Sequence, residues 1–105
     1  MKRSGVSQGI KTDELPQEPI QRWLDYLLVE RGLAKNTLEA YRRDLISLSA
    51  EMRQLRIRFP ARVRLPHLQK YLQRLMKGGA SASSQRRRIS AIRGFFRFLV
   101  QEGLI

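Results

Sequence analysis

The chain has 105 residues, 42% of them hydrophobic, and carries 21 lysine and arginine residues against 9 aspartate and glutamate residues, a formal net charge of +12. A single domain of this length can bury one modest core. The absence of cysteine excludes disulfides and thiolate metal sites, and the one histidine, His67, cannot hold a metal alone. The sequence offers no long apolar run and no signal-peptide core. We therefore expect a cytoplasmic protein with no membrane, metal, cofactor or small-molecule partner.

The excess positive charge is confined to the later two thirds of the chain. Residues 1–34 contain five basic and five acidic residues, whereas residues 35–105 contain sixteen basic and four acidic ones. Sixteen of the 21 basic residues are arginine, whose planar guanidinium can bind a phosphate or a guanine edge through two hydrogen bonds. No aspartate or glutamate lies between Glu51 and Glu102. This distribution favours a polyanion, above all DNA, as the partner.

The first part of the chain predicts a tail followed by a helix. Residues 1–17 are polar and aperiodic, which is typical of a flexible tail. Pro19 suits the first turn of a helix, and Gly32 suits a left-handed cap at its end, with Leu33 packing back onto the last turn. The first helix is therefore expected over about 19–31. Its apolar stripe is Ile20, Trp23, Leu24, Leu27 and Leu28.

The second predicted helix spans about 36–54. Asn36, followed by Glu39 three residues later, fits an N-cap with a capping box. Apolar side chains then recur at steps of three and four, which predicts one buried seam. The seam is Leu38, Tyr41, Leu45, Leu48, Met52 and Leu55.

Two further helices complete the expected domain, residues 18–105. Pro66 and the pair Gly78-Gly79 bound a short third helix near 66–77, and Gly103 should end the fourth. The third stripe is Leu68, Tyr71, Leu72, Leu75 and Met76; the fourth is Ile89, Ile92, Phe95, Phe96 and Leu99. The candidate caps of the fourth helix are Ser81, Ser83 and Ser84. Because no segment alternates as a strand does, the fold class is predicted as all-α, a compact four-helix bundle.

Two surfaces of these helices carry residue types suited to nucleic acid. On the fourth helix, one face about 130° from the phenylalanine seam groups Ser83, Arg86, Ser90, Arg93 and Arg97, with Arg87 on its flank. The other candidate is the start of the second helix, where Lys35, Asn36 and Thr37 precede Arg42 and Arg43. Each surface has an alternative explanation without a ligand. The face of the fourth helix could be an ordinary solvent-exposed basic surface, and Asn36 and Thr37 could serve to cap the second helix.

Three segments, WLDYLLVERGLAKNTLEAYRRDL, LQKYLQRLMKGGASASSQRRRISAIRGFFRFL and QEGLI, resemble the N-terminal core-binding (SAM-like) domain of the tyrosine recombinase, or phage integrase, family, especially its Xer-type members. The resemblance covers residues 18–105. It implies a four-helix orthogonal bundle that forms half of a C-shaped clamp on double-stranded DNA, beside other recombinase subunits. A separate C-terminal catalytic domain, to which nothing here corresponds, cuts the strands. The chain would then be an excised domain or the product of a truncated gene.

The resemblance also places DNA contacts on the second and fourth helices. On the second helix these are Lys35, Asn36, Thr37 and Arg42 or Arg43. On the fourth helix they are Ser83, Ser84, Arg87 and Arg93. The family usually has an apolar or variable residue where Arg86 and Arg88 stand, and Arg88 projects toward the apolar side. None of Tyr26, Tyr41 and Tyr71 lies in a motif that matches the family's nucleophile. We therefore expect no enzymatic activity from this chain. The alternative is a helical protein-interaction or oligomerisation module whose basic face meets an acidic partner.

Overall fold

The computed structural model describes residues 17–105, and this part of the chain contains four α-helices and no β-strand. They are α1 (Gln17–Tyr26, continued by a π-helical turn at Leu27–Arg31), α2 (Lys35–Gln54), α3 (Leu65–Lys77) and α4 (Ala82–Gln101). The predicted all-α, four-helix fold is confirmed, with helix bounds within two residues of those expected. The expected tail at 1–17 lies outside the described residues, apart from Gln17, which opens α1.

The core forms where α1, α2 and α4 pack together, and α3 covers one side of it. Trp23 stacks on Tyr41 with ring centroids 5.4 Å apart and meets the edge of Phe95 at 5.9 Å. The predicted stripes supply most of the buried side chains. The buried apolar residues are Ile20, Trp23, Leu24, Leu27, Leu45, Leu48, Met52, Phe59, Tyr71, Ala91, Ile92, Phe95, Phe98 and Leu99.

The end of α1 departs from the expected regular helix. Gly32 adopts the predicted left-handed conformation, with φ of 63°, and Leu33 packs back against the core with its N–H 3.4 Å from the oxygen of Leu27. The turn before Gly32 is π-helical, and such a turn holds an extra residue that rotates the following side chains. The prediction that Leu28 is buried is therefore wrong, since 53% of its surface is exposed.

Three other residues of the predicted apolar stripes are not buried. Leu55 lies beyond the last residue of α2, while Met76 and Ile89 lie at the margins of their stripes, and all three are exposed. Two buried aromatic residues fell outside the predicted stripes. Phe98 contacts Tyr26 at 5.3 Å, and Phe59, from the connection between α2 and α3, stacks on Phe95 at 5.8 Å.

Polar contacts attach α3 to its neighbours. The Tyr71 hydroxyl lies 2.9 Å from Oγ of Ser47 on α2, and the side-chain amide of Gln85 on α4 donates to the carbonyl oxygen of Leu72 at 2.9 Å. Burial raises the pKa of the Tyr71 hydroxyl above its ordinary value of 10.0, so the phenol stays protonated. Arg74 forms an ion pair with Glu51 at the surface. These contacts orient α3 against the α2–α4 pair.

Gly94 allows α1 and α4 to approach closely. A Cβ atom at this position would lie 2.8 Å from Cζ2 of Trp23, which is buried and held by Tyr41 and Phe95. Because the indole ring is packed on both sides, it cannot move aside without disturbing the core. The absence of a side chain at position 94 therefore fixes how tightly the two helices pack.

We expect Gly94→Ala to lower the free energy of unfolding by about 1–2 kcal/mol, although alanine gains about 1 kcal/mol of helix propensity over glycine. The cost arises because the methyl group displaces Trp23. Urea denaturation followed by circular dichroism measures the change, and the same measurement applies in a background without tryptophan. In a Trp23→Phe background the same substitution should cost less, because the ring is smaller. A Gly94→Ala protein more stable than the wild type would contradict this packing role.

Candidate nucleic-acid interface

The outward face of α4 carries a row of cationic and hydroxyl side chains. The predicted members of this face are all exposed: Ser83, Arg86, Ser90, Arg93 and Arg97. They recur at steps of three and four, and lie opposite the buried residues Ile92, Phe95 and Leu99. Within residues 17–105, no hydrogen bond or ion pair engages their side chains. The face is thus free to bind an external anion, and the assignment of DNA to it remains a prediction.

Only one of the three candidate serines caps the beginning of α4. Ser81 is the N-cap, and its Oγ accepts a hydrogen bond from the backbone N–H of Ser84 at 3.0 Å. Ser84 is half-buried, while the hydroxyl of Ser83 is exposed and takes no part in the cap. Of the two serines that the resemblance assigns to DNA, Ser83 is therefore the more accessible.

Arg87 differs from its neighbours on α4. Its Nε and Nη2 atoms donate to the two carboxylate oxygens of Asp44 on α2, each at 2.8 Å. The Asp44 side chain is only 5% exposed and that of Arg87 38%. The hydrogen bonds to Asp44 raise the pKa of the Arg87 guanidinium above its ordinary value. Arg87, which was expected on the flank of the cationic face, is thus drawn toward a buried carboxylate, and its assignment to DNA contact stays a prediction.

The pair belongs to a small polar cluster between α2 and α4. Arg88 is half-buried, with its Nε 3.8 Å from Asp44 and its Nη1 donating to the side-chain oxygen of Gln85 at 3.0 Å. Asp44 is the residue that the sequence analysis missed as a partner of Arg87. It stands three residues after Tyr41 and four before Leu48, on the apolar side of α2. A carboxylate on the apolar side of a helix needs a cationic partner, so the position of Asp44 in the sequence could have predicted an ion pair.

The start of α2 is not capped in the way the sequence suggested. The N-cap is Ala34, whose side chain cannot accept a hydrogen bond, and Asn36 already lies inside the helix. The capping role predicted for Asn36 is therefore wrong. Lys35 and Asn36 are exposed and Thr37 is half-buried, without side-chain partners in the described part of the chain.

We expect Asn36→Ala to change stability by less than about 0.5 kcal/mol, since the amide caps nothing. Ser81→Ala is the matched comparison, and it should cost about 1 kcal/mol because it removes an observed N-cap. Thermal unfolding of the two variants side by side measures both values. Equal losses for the two would mean that Asn36 does support the helix.

The two arginines after the start of α2 point in different directions. Arg42 is half-buried and donates to the side-chain oxygen of Gln21, which in turn donates to Asp25 at 2.8 Å. Arg43 is exposed and has no side-chain partner among residues 17–105. Arg42 thus connects α2 to α1, and Arg43 is the freer of the pair.

One cleft borders the cationic face of α4. It has a volume of about 350 Å³, and its lining comes from α1, from Leu33 and Tyr41, and from the second half of α4. Ser90 and Arg97 of the cationic face line it, whereas none of the candidate residues at the start of α2 does. The joint action of the two candidate surfaces remains a prediction.

Two kinds of site find no support among residues 17–105. No group of three or more acidic or histidine side chains is arranged to hold a metal ion. In the same range, none of the helices is both long enough and apolar enough to cross a membrane.

Comparison with known proteins gives a consistent result. A family model described as "Phage integrase, N-terminal SAM-like domain" matches residues 20–103. The tyrosine recombinase XerD of Brucella abortus is 40% identical over 84 residues, which is 80% of this chain and 27% of the relative. XerD of Mycobacterium leprae is 40% identical over 96 residues, 85% of this chain and 30% of the relative. XerC of Pseudomonas syringae pv. tomato is 34% identical over 88 residues, which is 84% of this chain and 29% of the relative.

No solved structure gives a significant match. The chain spans less than a third of the length of these curated relatives. An all-helical bundle with a cationic face across two helices is the class of domain that the structure defines. The family match is more specific: the chain belongs to the phage integrase N-terminal SAM-like domain family, and the relatives it resembles are tyrosine recombinases.

Proposed function

We propose that this chain is the DNA-binding domain of a site-specific tyrosine recombinase, and that it holds double-stranded DNA between the start of α2 and the outward face of α4. The observation that supports this most strongly is the face of α4, where Arg86, Arg93 and Arg97 are exposed and have no partner within residues 17–105. Strand cleavage belongs to residues outside this chain. The other subunits of a recombinase complex are further partners, and the domain acts in the compartment that holds the DNA.

The contacts are made mainly to phosphates. Guanidinium groups bind phosphate oxygens through charge-assisted hydrogen bonds, and the hydroxyls of Ser83 and Ser90 can donate to oxygens between them. The first backbone N–H groups of α2 have no side-chain acceptor at Ala34, and they carry the positive end of the helix dipole. A phosphate seated there is stabilised by both features. Base-edge contacts are few, so the domain contributes affinity and orientation more than sequence selectivity.

The clamp depends on the angle between α2 and α4. The Asp44–Arg87 pair joins the two helices that carry the proposed DNA surface. A two-bond contact of this kind fixes both the distance and the orientation of its partners. Arg87 is therefore assigned a positioning role, and the direct contacts are assigned to Arg93 and Arg97.

Fluorescence anisotropy with a labelled duplex of about 30 base pairs tests the proposal, with an acidic peptide of matched label as the comparison. We expect the duplex to bind more tightly at every salt concentration, and log K to fall linearly with log salt, by about 0.9 for each phosphate neutralised. Tighter binding of the peptide at matched salt would favour the protein-interaction module instead.

A further inference from the structure

A second group of arginines lies in the connection between α2 and α3, away from the proposed DNA surface. Within the sequence RIRFPARVR, Ile57, Phe59 and Val63 pack against the core. The four arginines between and beside these anchors are all exposed: Arg56, Arg58, Arg62 and Arg64. We call them the loop arginine surface. Their exposure is imposed by the anchors, which turn the intervening side chains outward.

The loop arginine surface forms no ion pair in the described part of the chain, although Glu18 lines the same pocket as Arg58. None of its four side chains takes part in an ion pair or a hydrogen bond within residues 17–105. The sequence itself places no acidic residue between Glu51 and Glu102, and Glu51 is paired with Arg74. Four guanidiniums within nine residues outnumber this single nearby carboxylate and create a positive potential, which attracts a polyanion.

The backbone at Arg56 gives a second, independent indication. Arg56 has φ of 61°, in the left-handed region, at the point where α2 ends. Its N–H bonds to the oxygen of Arg53 at 2.9 Å, and that of Ile57 bonds to the oxygen of Met52 at 2.8 Å. Glycine is the usual residue in this helix ending, because any side chain is strained there. Strained backbone positions with a side chain cluster at ligand-binding sites, which is consistent with a binding role for Arg56.

The loop arginine surface and the start of α2 lie at opposite ends of α2. This helix runs from Lys35 to Gln54, and Arg56 follows two residues after its end. A helix of 20 residues is about 30 Å long, which is about the distance between the two regions. A phosphate backbone in contact with the loop arginine surface is therefore a different stretch from the one that the start of α2 contacts.

We propose that the loop arginine surface is a second binding surface for the phosphate backbone of double-stranded DNA, separate from the one formed by α2 and α4. This inference rests on the proposed function, because it takes DNA as the ligand of the domain. The second surface adds phosphate contacts without base contacts, and it raises affinity and salt dependence alike.

The test compares Arg58→Gln/Arg62→Gln with Arg93→Ala/Arg97→Ala in the full chain. Each is titrated against a labelled duplex of about 30 base pairs between about 50 and 200 mM salt. We expect the loop variant to reduce the log–log slope by about 1.8, which corresponds to two phosphates. Arg56→Gly adds a readout that a structural role would not give. It should melt at the same or a higher temperature than the wild type and still bind the duplex less tightly.

The outcomes separate the two proposals. An unchanged slope for the loop variant, with a reduced slope for the α4 variant, overturns this inference and leaves the proposed function intact. A reduced slope for the loop variant alone supports this inference and contradicts the α2–α4 surface. Anionic phosphatidylserine vesicles serve as a comparison. If the loop variant loses vesicle binding and keeps its full duplex affinity, the partner is a membrane and the inference fails.

Discussion

Arg87→Ala should lower the free energy of unfolding by about 2–3 kcal/mol, more than any exposed arginine of α4. The substitution leaves the Asp44 carboxylate buried without the two hydrogen bonds that compensate its desolvation. Removing one partner of a fully buried pair costs about 3–5 kcal/mol. The expected value is lower here, because Arg87 is partly exposed and Arg88 stays within 3.8 Å of the carboxylate.

Asp44→Asn is the companion substitution, and it should cost less, about 1–2 kcal/mol. The amide can still accept one hydrogen bond from Arg87, and the guanidinium can turn toward solvent. In the double variant, Arg87→Ala should cost less than it does alone, because no charge is left buried. Urea denaturation of the four proteins forms a double-mutant cycle that measures this coupling. If Arg87→Ala unfolds at the wild-type urea concentration, the pair does not hold α2 to α4.

The second large effect concerns binding. We expect Arg93→Ala/Arg97→Ala to weaken duplex binding about 60-fold at 0.1 M salt. Two lost phosphate contacts remove about 1.8 from the log–log slope, and this extrapolates to that factor when both proteins bind equally at 1 M salt. Stability should change by less than about 0.5 kcal/mol, because both side chains are exposed and have no partner among the described residues.

Lys70→Ala/Lys77→Ala is the matched control for this loss. Both lysines are exposed on α3, and their removal changes the net charge by the same two units. If DNA responds only to the overall charge, the two double variants weaken binding equally. If it responds to the face of α4, the control keeps nearly its full affinity.

Much of the fold follows from local sequence patterns. The apolar stripes of all four helices predict most of the core, because side chains three and four residues apart lie on one face. Gly32 ends α1 as expected, since a left-handed turn favours glycine. The outward face of α4 is also predictable, because its residues and the phenylalanine seam are fixed on opposite sides of the same helix.

The rest depends on contacts between residues distant in sequence. Asp44 and Arg87 are 43 residues apart, so no periodicity within either helix reveals their pairing. Phe59 lies in an irregular connection, and its burial depends on where Phe95 and Phe96 have been placed by α4. The local pattern at Asn36 favours an N-cap there, but the observed N-cap is Ala34, two residues earlier.

The salt dependence of duplex binding by the wild type, the Arg93→Ala/Arg97→Ala variant and the Lys70→Ala/Lys77→Ala variant tests the DNA-binding face most directly. The predicted result is a log–log slope about 1.8 lower for the α4 variant, with the wild-type slope retained by the α3 variant. Identical slopes for all three proteins would show that the exposed guanidiniums of α4 do not contact the DNA backbone.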